Sequence, residues 1–156
     1  MPTRSLAPLL LLIGLVIGLV GCGAAASQAP VDGGTSAPDT CTAATALQTV
    51  ASAAGTYSVS ACAADPVRGI NAFTFLVTDA STSAPVDGLT IAVQPWMPDM
   101  GHGSPATPTV TALGDGLYQV ADVVFTMGGL WQLRTTLSGG TQDSASDNAI
   151  VQFTID

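Results

Sequence analysis

Short runs in which apolar and polar residues alternate constrain the fold of this chain more than any other feature. Phe73, Phe75 and Val77 take alternate positions in one such run, and Trp131 and Leu133 do so in another. A period of two residues places these side chains on one face of a β-strand. No helical period of useful length appears from residue 57 onward. The pattern predicts antiparallel strands that are buried on one face.

Seven runs of this kind follow one another, separated by turn residues. They are 57–61, 72–78, 89–94, 109–113, 117–125, 130–137 and 149–155. About seven short strands in about 100 residues are typical of an immunoglobulin-like antiparallel β-sandwich, which is the all-β fold we predict. We expect 95–108 and 138–148 to be loops. The alanine- and threonine-rich segment 41–54 is compatible with a short helix or with irregular structure.

The N-terminus has the pattern of a secretion signal. Arg4 precedes an aliphatic run over residues 6–20, which is long enough for a signal peptide but short for a membrane span of about 20 residues. The sequence Leu19-Val20-Gly21-Cys22 resembles the lipobox of bacterial lipoproteins. That resemblance implies that Cys22 is acylated and becomes the first residue of an extracytoplasmic chain, held by lipid on the cell membrane or the outer membrane. The alternative is an ordinary signal peptide, or an uncleaved anchor, in which Cys22 is incidental.

These features divide the chain into three parts. Residues 1–21 form the predicted signal peptide, 22–40 a flexible linker rich in Ala, Gly, Ser and Pro, and 41–156 the sandwich domain. After removal of the signal, two arginines face eleven aspartates, and the formal charge is −9 without a single lysine or glutamate. Such a surface repels nucleic acid and anionic lipid headgroups. A sparse acidic surface that keeps the protein soluble explains this charge sufficiently.

The remaining cysteines form an even pair. With Cys22 assigned to lipid, Cys41 and Cys62 are predicted to form a disulfide in an oxidising compartment. The bridge would close a loop of about 20 residues and contribute roughly 3 kcal/mol by the chain-entropy estimate. A thiol metal site is the alternative, but exposed thiols tend to oxidise there and no CxxC spacing is present.

One interstrand segment, 95–103, concentrates residues suited to chemistry. It contains Met97, Met100 and His102, the chain's sole histidine, and the remaining methionine of the mature chain is Met127 at another strand junction. Thioether sulfur and imidazole nitrogen are ligands that suit Cu(I), and thioethers do not form disulfides. We therefore take these four residues as candidate Cu(I) ligands.

The tryptophans near these residues have candidate roles as well, and the methionines and turn sequences also have explanations that need no metal. Trp96 and Trp131 are candidates to shield a bound metal from water or to contact a partner. Methionine is also an adaptable apolar gap-filler, so Met97 and Met127 are equally explained as plugs at the end of a core. Pro-Asp and Gly-His-Gly are turn sequences that need no metal.

Three separated motifs resemble the YtkA-like/FixH domain family over about residues 70–155. They are the MPDMGHG sequence at 97–103, Gly116-Leu117-Tyr118, and the MGGLW sequence at 127–131. The resemblance implies a small immunoglobulin-like extracytoplasmic domain with a role in copper handling. It places Met97, Met100, His102 and Met127 on the family's motif positions. FixH proteins carry an N-terminal transmembrane helix, whereas this chain has the lipobox.

Three classes of function are compared with these sequence features. The first is a lipid-anchored binding domain that captures or passes Cu(I), with a copper-handling or envelope protein as partner. The second is a metal-free interaction or structural module at the cell envelope. An enzyme is the poorest fit, because His102 and Asp99 have neither a GxSxG element nor a reactive cysteine beside them. One histidine also excludes a histidine-rich zinc site.

Overall fold

A computed structural model describes residues 35–140 and 146–156 of the chain. The predicted signal peptide 1–21 and the predicted lipid attachment at Cys22 lie outside the described residues, as does the predicted linker up to residue 34. Within the described ranges every regular element is a β-strand. No helix in those ranges is long and apolar enough to cross a membrane.

The described part of the chain contains nine strands, which we number in chain order. They are β1 (Gln48–Ala51), β2 (Tyr57–Cys62), β3 (Gly69–Asp79), β4 (Leu89–Met97), β5 (His102–Gly103), β6 (Thr109–Gly114), β7 (Leu117–Phe125), β8 (Gly129–Gly139) and β9 (Asp147–Ile155). All neighbouring strands pair antiparallel. The predicted all-β antiparallel fold is confirmed, with β1 and β5 in addition to the seven predicted strands.

The strands form two sheets, in the orders β1-β2-β3-β7-β6 and β5-β4-β8-β9. With β1 set aside, the two orders correspond to the A-B-E-D and C′-C-F-G sheets of immunoglobulin-like sandwiches. The chain passes from one sheet to the other after β3, after β5 and after β7. The last two of these crossings lie beside the segments that carry the candidate ligands.

The core lies between the two sheets and is built from the alternating residues that the sequence singled out. In β4 every second residue from Leu89 to Met97 is buried, and in β8 Trp131, Leu133 and Leu137 are fully buried. From the other sheet the rings of Phe73 and Phe125 enter this core. Burial of these side chains supplies most of the free energy that holds the sheets together.

One irregularity of β7 changes which residues face the core. Its buried positions are even-numbered at Tyr118 and Val120 but odd-numbered at Val123 and Phe125. The pairing with β3 shifts register in this stretch, and Asp122 adopts a positive φ of 60°. A β-bulge inserts one extra residue, so the strand keeps its apolar face toward the core after a break in alternation.

The prediction of a loop over residues 95–108 is wrong at residues 95–97, which belong to β4, and at residues 102–103, which form β5. Pro95 continues β4 and pairs with Leu133, while its carbonyl accepts a 3.0 Å hydrogen bond from the Ser104 N–H. In an antiparallel strand the N and O of one residue point to the same side, so the missing Pro95 donor faces β5 and costs β8 nothing. The true connection between β4 and β5 is therefore only residues 98–101.

The segment before β1 is fastened to the sandwich. Cys41 and Cys62 form the predicted disulfide, which joins this segment to the end of β2. Farther upstream the Thr35 N–H donates to the carbonyl of Ile70 at 3.3 Å, and the Thr74 hydroxyl donates to the carbonyl of Pro38. Residues 35–41 thus run along β3 where β2 has already ended.

Candidate functional site

The first part of the candidate site is the turn between β4 and β5. The Gly101 N–H donates to the Met97 carbonyl at 3.0 Å, which closes one tight turn over residues 98–101. Gly101 has a φ of +67°, a conformation that glycine adopts without steric cost. Met100 lies at the tip of this turn and is 59% exposed. The turn therefore presents one thioether directly to solvent.

Met97 and His102 flank that turn and share one face of the hairpin. They are directly opposite each other in the β4–β5 pairing, so their side chains point to the same side of the sheet. Met97 is 3% exposed and belongs to the core, whereas His102 is half-buried at its edge. Its Nδ1 lies 3.2 Å from the Gly103 carbonyl oxygen. A proton on Nδ1 donates to that oxygen, and the Nε2 lone pair is then available to a metal ion.

The second part of the site is the turn between β7 and β8, which contains Met127. Met127 is 37% exposed, and its carbonyl accepts a 2.9 Å hydrogen bond from the indole N–H of Trp131. Trp131 itself is completely buried, with its ring 5.1 Å from that of Phe125. The buried indole therefore fixes the backbone of the turn while the Met127 side chain stays accessible.

Two glycines allow other parts of the chain to pack closely on this second turn. A Cβ on Gly128 would lie 3.1 Å from the Ile155 carbonyl oxygen, at the end of β9. A Cβ on Gly129 would lie 3.0 Å from the Met97 methyl carbon, and Gly129 also has a φ of +125°. Contact between Met97 and Gly129 brings the two turns together at one end of the sandwich. We call this end, formed by the turns 98–101 and 126–128, the Met end.

The four candidate ligands thus lie at one end of the fold but in different environments. Met100 and Met127 are exposed, His102 is half-buried, and Met97 is a core residue packed against Gly129. In the described ranges no group of three or more His, Cys, Asp or Glu side chains is placed to hold a metal ion. The four candidate residues themselves offer three thioether sulfurs and one imidazole.

The structure separates the two tryptophans. Trp131 lies in the core beneath the Met127 turn, on the inner side that Met97 also faces. Trp96 lies between two buried residues of β4, so its side chain points to the outer face of the sheet. Its ring centroid lies 4.5 Å from the Arg134 guanidinium in a cation–π contact. A Cβ on Gly103 would lie 3.3 Å from this ring. Trp96 therefore lies on the face opposite to the side chains of Met97 and His102.

The middle motif, Gly116-Leu117-Tyr118, lies at the opposite end of β7 and serves the fold. The Tyr118 hydroxyl donates to the Val86 carbonyl at 2.9 Å and accepts from the Leu89 N–H at 3.2 Å. Burial raises the pKa of the Tyr118 phenol above its usual value. A Cβ on Gly116 would lie 2.6 Å from the Val77 carbonyl oxygen. These contacts hold the β3–β4 connection and account for both end residues of the motif.

The comparison with known families agrees with this geometry. The model of the YtkA-like family matches residues 49–136, a stretch that contains all three motifs. The chain belongs to the YtkA-like family. No curated protein and no solved structure matches it.

The YtkA-like match ends within β8 and therefore includes both turns of the Met end. Sequence reasoning named all four candidate ligands of this YtkA-like domain but did not assign roles to Gly128 and Gly129. The signal was present, because two adjacent glycines between Met127 and Trp131 indicate a place where other chain segments approach closely.

Proposed function

We propose that this YtkA-like chain is a lipid-anchored extracytoplasmic domain that binds Cu(I) at the Met end and passes it to a partner. One observation carries the proposal. The contact between Met97 and Gly129 brings the β4–β5 hairpin, which carries Met97, Met100 and His102, next to the turn that carries Met127.

The environments of the four residues suggest different roles in this proposal. Met100 and Met127 are the exposed thioethers that can reach an incoming ion, and the half-buried His102 supplies an imidazole nitrogen. Met97, which is 3% exposed, forms the inner wall of the site. Thioether and imidazole donors favour Cu(I) over the hard cations that prefer carboxylates. Exposed donors also suit a protein that releases its ion to another site.

The experiment is a Cu(I) titration of a soluble form, residues 23–156, against a competing chromogenic chelator. We expect one equivalent of Cu(I) to bind. The variant in which Met97, Met100 and Met127 become leucine and His102 becomes glutamine should lose this binding, because leucine keeps the side-chain size but removes the sulfur. Circular dichroism and thermal unfolding verify that the variant is folded. Equal Cu(I) binding by the folded quadruple variant would overturn the site assignment.

Single substitutions then divide the roles among the ligands. We expect Met100→Leu and Met127→Leu to weaken Cu(I) binding with little change in unfolding temperature, since both side chains are exposed. Met97→Leu is the matched buried substitution and should affect stability at least as much as affinity. Binding that depends on Met97 alone would contradict the proposed division.

A metal-free interaction module is the second candidate, and the 59% exposure of Met100 favours it specifically. Exposed methionines make adaptable contact surfaces without any metal. In this case Met100→Ala would weaken capture of the partner equally with and without a Cu(I) chelator. Release of the partner by the chelator would exclude this second function.

A further inference from the structure

We propose that the Met end faces the membrane and that its exposed apolar side chains contact the lipid surface to which Cys22 tethers the chain. The proposal rests on the lipid anchoring included in the proposed function and not on copper binding. In this proposal the Met end contacts the bilayer itself and not a protein embedded in it.

The segment that leads to the anchor joins the domain at the Met end. The Thr35 N–H donates to the Ile70 carbonyl, and the neighbouring Gly69 pairs with Phe125. Phe125 is the last residue of β7, directly before the turn that carries Met127. The segment that leads back toward Cys22 therefore leaves the sandwich at the Met end.

The C-terminus lies at the same end. Gly129 pairs with Ile155 at the end of β9, and the Arg68 guanidinium donates from Nε to the Asp156 main-chain oxygen at 3.0 Å. Segments around residues 35, 68, 127, 129 and 155 are thus linked by direct contacts at one end.

The lengths involved decide which end approaches the membrane. Twelve residues, 23–34, lie between Cys22 and Thr35 in the sequence, which makes thirteen Cα–Cα steps. A chain of this length spans at most about 45 Å. A strand the length of β3, with 11 residues, spans about 36 Å. Because the tether starts at the Met end, contact of the opposite end with the bilayer would require most of this maximum reach, which favours an orientation with the Met end toward the bilayer.

The distribution of exposed apolar side chains is the second, independent argument. Seven large apolar residues are exposed in the described part of the chain. Four of them belong to the Met end or to the β2–β3 connection and β3 start beside it: Val67, Ile70, Met100 and Met127. Leu113, which is 51% exposed, lies beside the β6–β7 turn at the opposite end. An apolar group concentrated where the tether begins is suited to the interfacial region of a bilayer.

Charge determines which lipids suit this contact. The chain after residue 21 has a formal charge of −9, so anionic headgroups repel it as a whole. Contact must then come from apolar side chains and from the anchor. We therefore expect it on zwitterionic bilayers and expect it to weaken as anionic lipid is added.

The test measures which end of the domain touches lipid. The mature chain is coupled through Cys22 to a maleimide-headgroup lipid in phosphatidylcholine vesicles, with the Cys41–Cys62 disulfide intact, so that anchoring does not depend on cellular acylation. A fluorescent noncanonical amino acid replaces Met100 or, in the matched control, Leu113. Brominated lipids quench fluorophores that enter the acyl region. We expect several-fold stronger quenching at residue 100 than at residue 113, without added metal. Equal quenching at both positions, or stronger quenching at residue 113, would overturn the proposal.

A second pair of variants separates lipid contact from the mere position of the tether. Val67→Ser together with Ile70→Ser should reduce the quenching at residue 100, whereas Leu113→Ser should leave it unchanged. Quenching that persists undiminished in the double-serine variant contradicts apolar contact with lipid. Failure of Cu(I) binding in the titration above leaves these quenching results unaffected, so the two proposals fail separately.

Discussion

The indole N–H of the fully buried Trp131 donates a 2.9 Å hydrogen bond to the main-chain carbonyl of Met127. A rigid core residue thereby fixes the backbone of an exposed turn four positions earlier in the chain. The MGGLW motif is thus a structural unit in which tryptophan positions a methionine that remains accessible to solvent. The two intervening glycines are needed because the end of β9 and the Met97 side chain pack against them.

Trp131→Phe tests this relationship. The variant loses the hydrogen bond and leaves a small cavity, so we expect a loss of about 2–4 kcal/mol in the free energy of unfolding. Chemical denaturation measures this change. Hydrogen exchange should accelerate more in residues 126–130 than in the distant turn at 114–116. Uniform acceleration in both turns would show that Trp131 stabilises only the core as a whole.

Gly55 and Gly116 offer a matched pair for separating backbone strain from steric clash. Their φ angles are nearly equal, at +73° and +71°, but a Cβ on Gly55 meets nothing within 4 Å whereas one on Gly116 would lie 2.6 Å from a backbone oxygen. Gly55→Ala should cost about 1–2 kcal/mol of stability from the left-handed conformation alone. Gly116→Ala should cost a further 1–3 kcal/mol or so. Equal losses in denaturant unfolding would contradict the close approach at Gly116.

Tyr118→Phe removes one buried hydroxyl and leaves the ring in place. The Val86 carbonyl and the Leu89 N–H both lose their partner, so we expect the free energy of unfolding to fall by about 1–3 kcal/mol. Denaturant unfolding measures the loss, and faster hydrogen exchange at Leu89 would locate it. An unchanged stability would mean that water replaces the hydroxyl.

Asp147 predicts a dependence of stability on pH. Burial raises the pKa of this carboxyl, but the hydrogen bonds that it accepts outweigh burial, so the pKa lies below its usual value. The Ala54 and Asn148 N–H groups donate to its Oδ1 at 2.9 and 2.7 Å. Because the folded pKa is lower than the unfolded value of about 3.9, the carboxylate stabilises the fold above that pH. This contribution disappears as the pH falls through the folded pKa.

Asp147→Asn provides the measurement for that dependence. At neutral pH we expect the variant to be about 1–3 kcal/mol less stable than the wild type, because the amide forms weaker hydrogen bonds with these donors. The difference should shrink below about pH 4, where the wild-type carboxyl begins to protonate. Parallel stability curves down to pH 2 would exclude Asp147 as the source.

Much of the fold was predictable because alternation is a local property of the sequence. The alternation of Phe73, Phe75 and Val77 predicted a strand and its buried face, and this prediction needed no information about the neighbouring strands. The pairing of Cys41 with Cys62 was predicted from their even number and from the expected oxidising compartment. The prediction of a loop from Pro95 onward was wrong, because a proline is tolerated in a strand when its missing donor faces away from the main neighbouring strand. Here that neighbour is β8, which is distant in sequence, and the missing donor faces the two-residue strand β5. The bulge at Asp122 likewise depends on the register with β3.

The sequence by itself determined the class of fold, the disulfide and the identity of the four candidate ligands. Only the tertiary structure decided that Met97 is buried against Gly129, that Met100 and Met127 are exposed, and that Trp96 lies on the outer face with Arg134. The physical reason is that composition fixes which donor atoms a chain possesses. Their exposure and mutual position depend on which strands pair and on which turns meet at the same end of the sandwich.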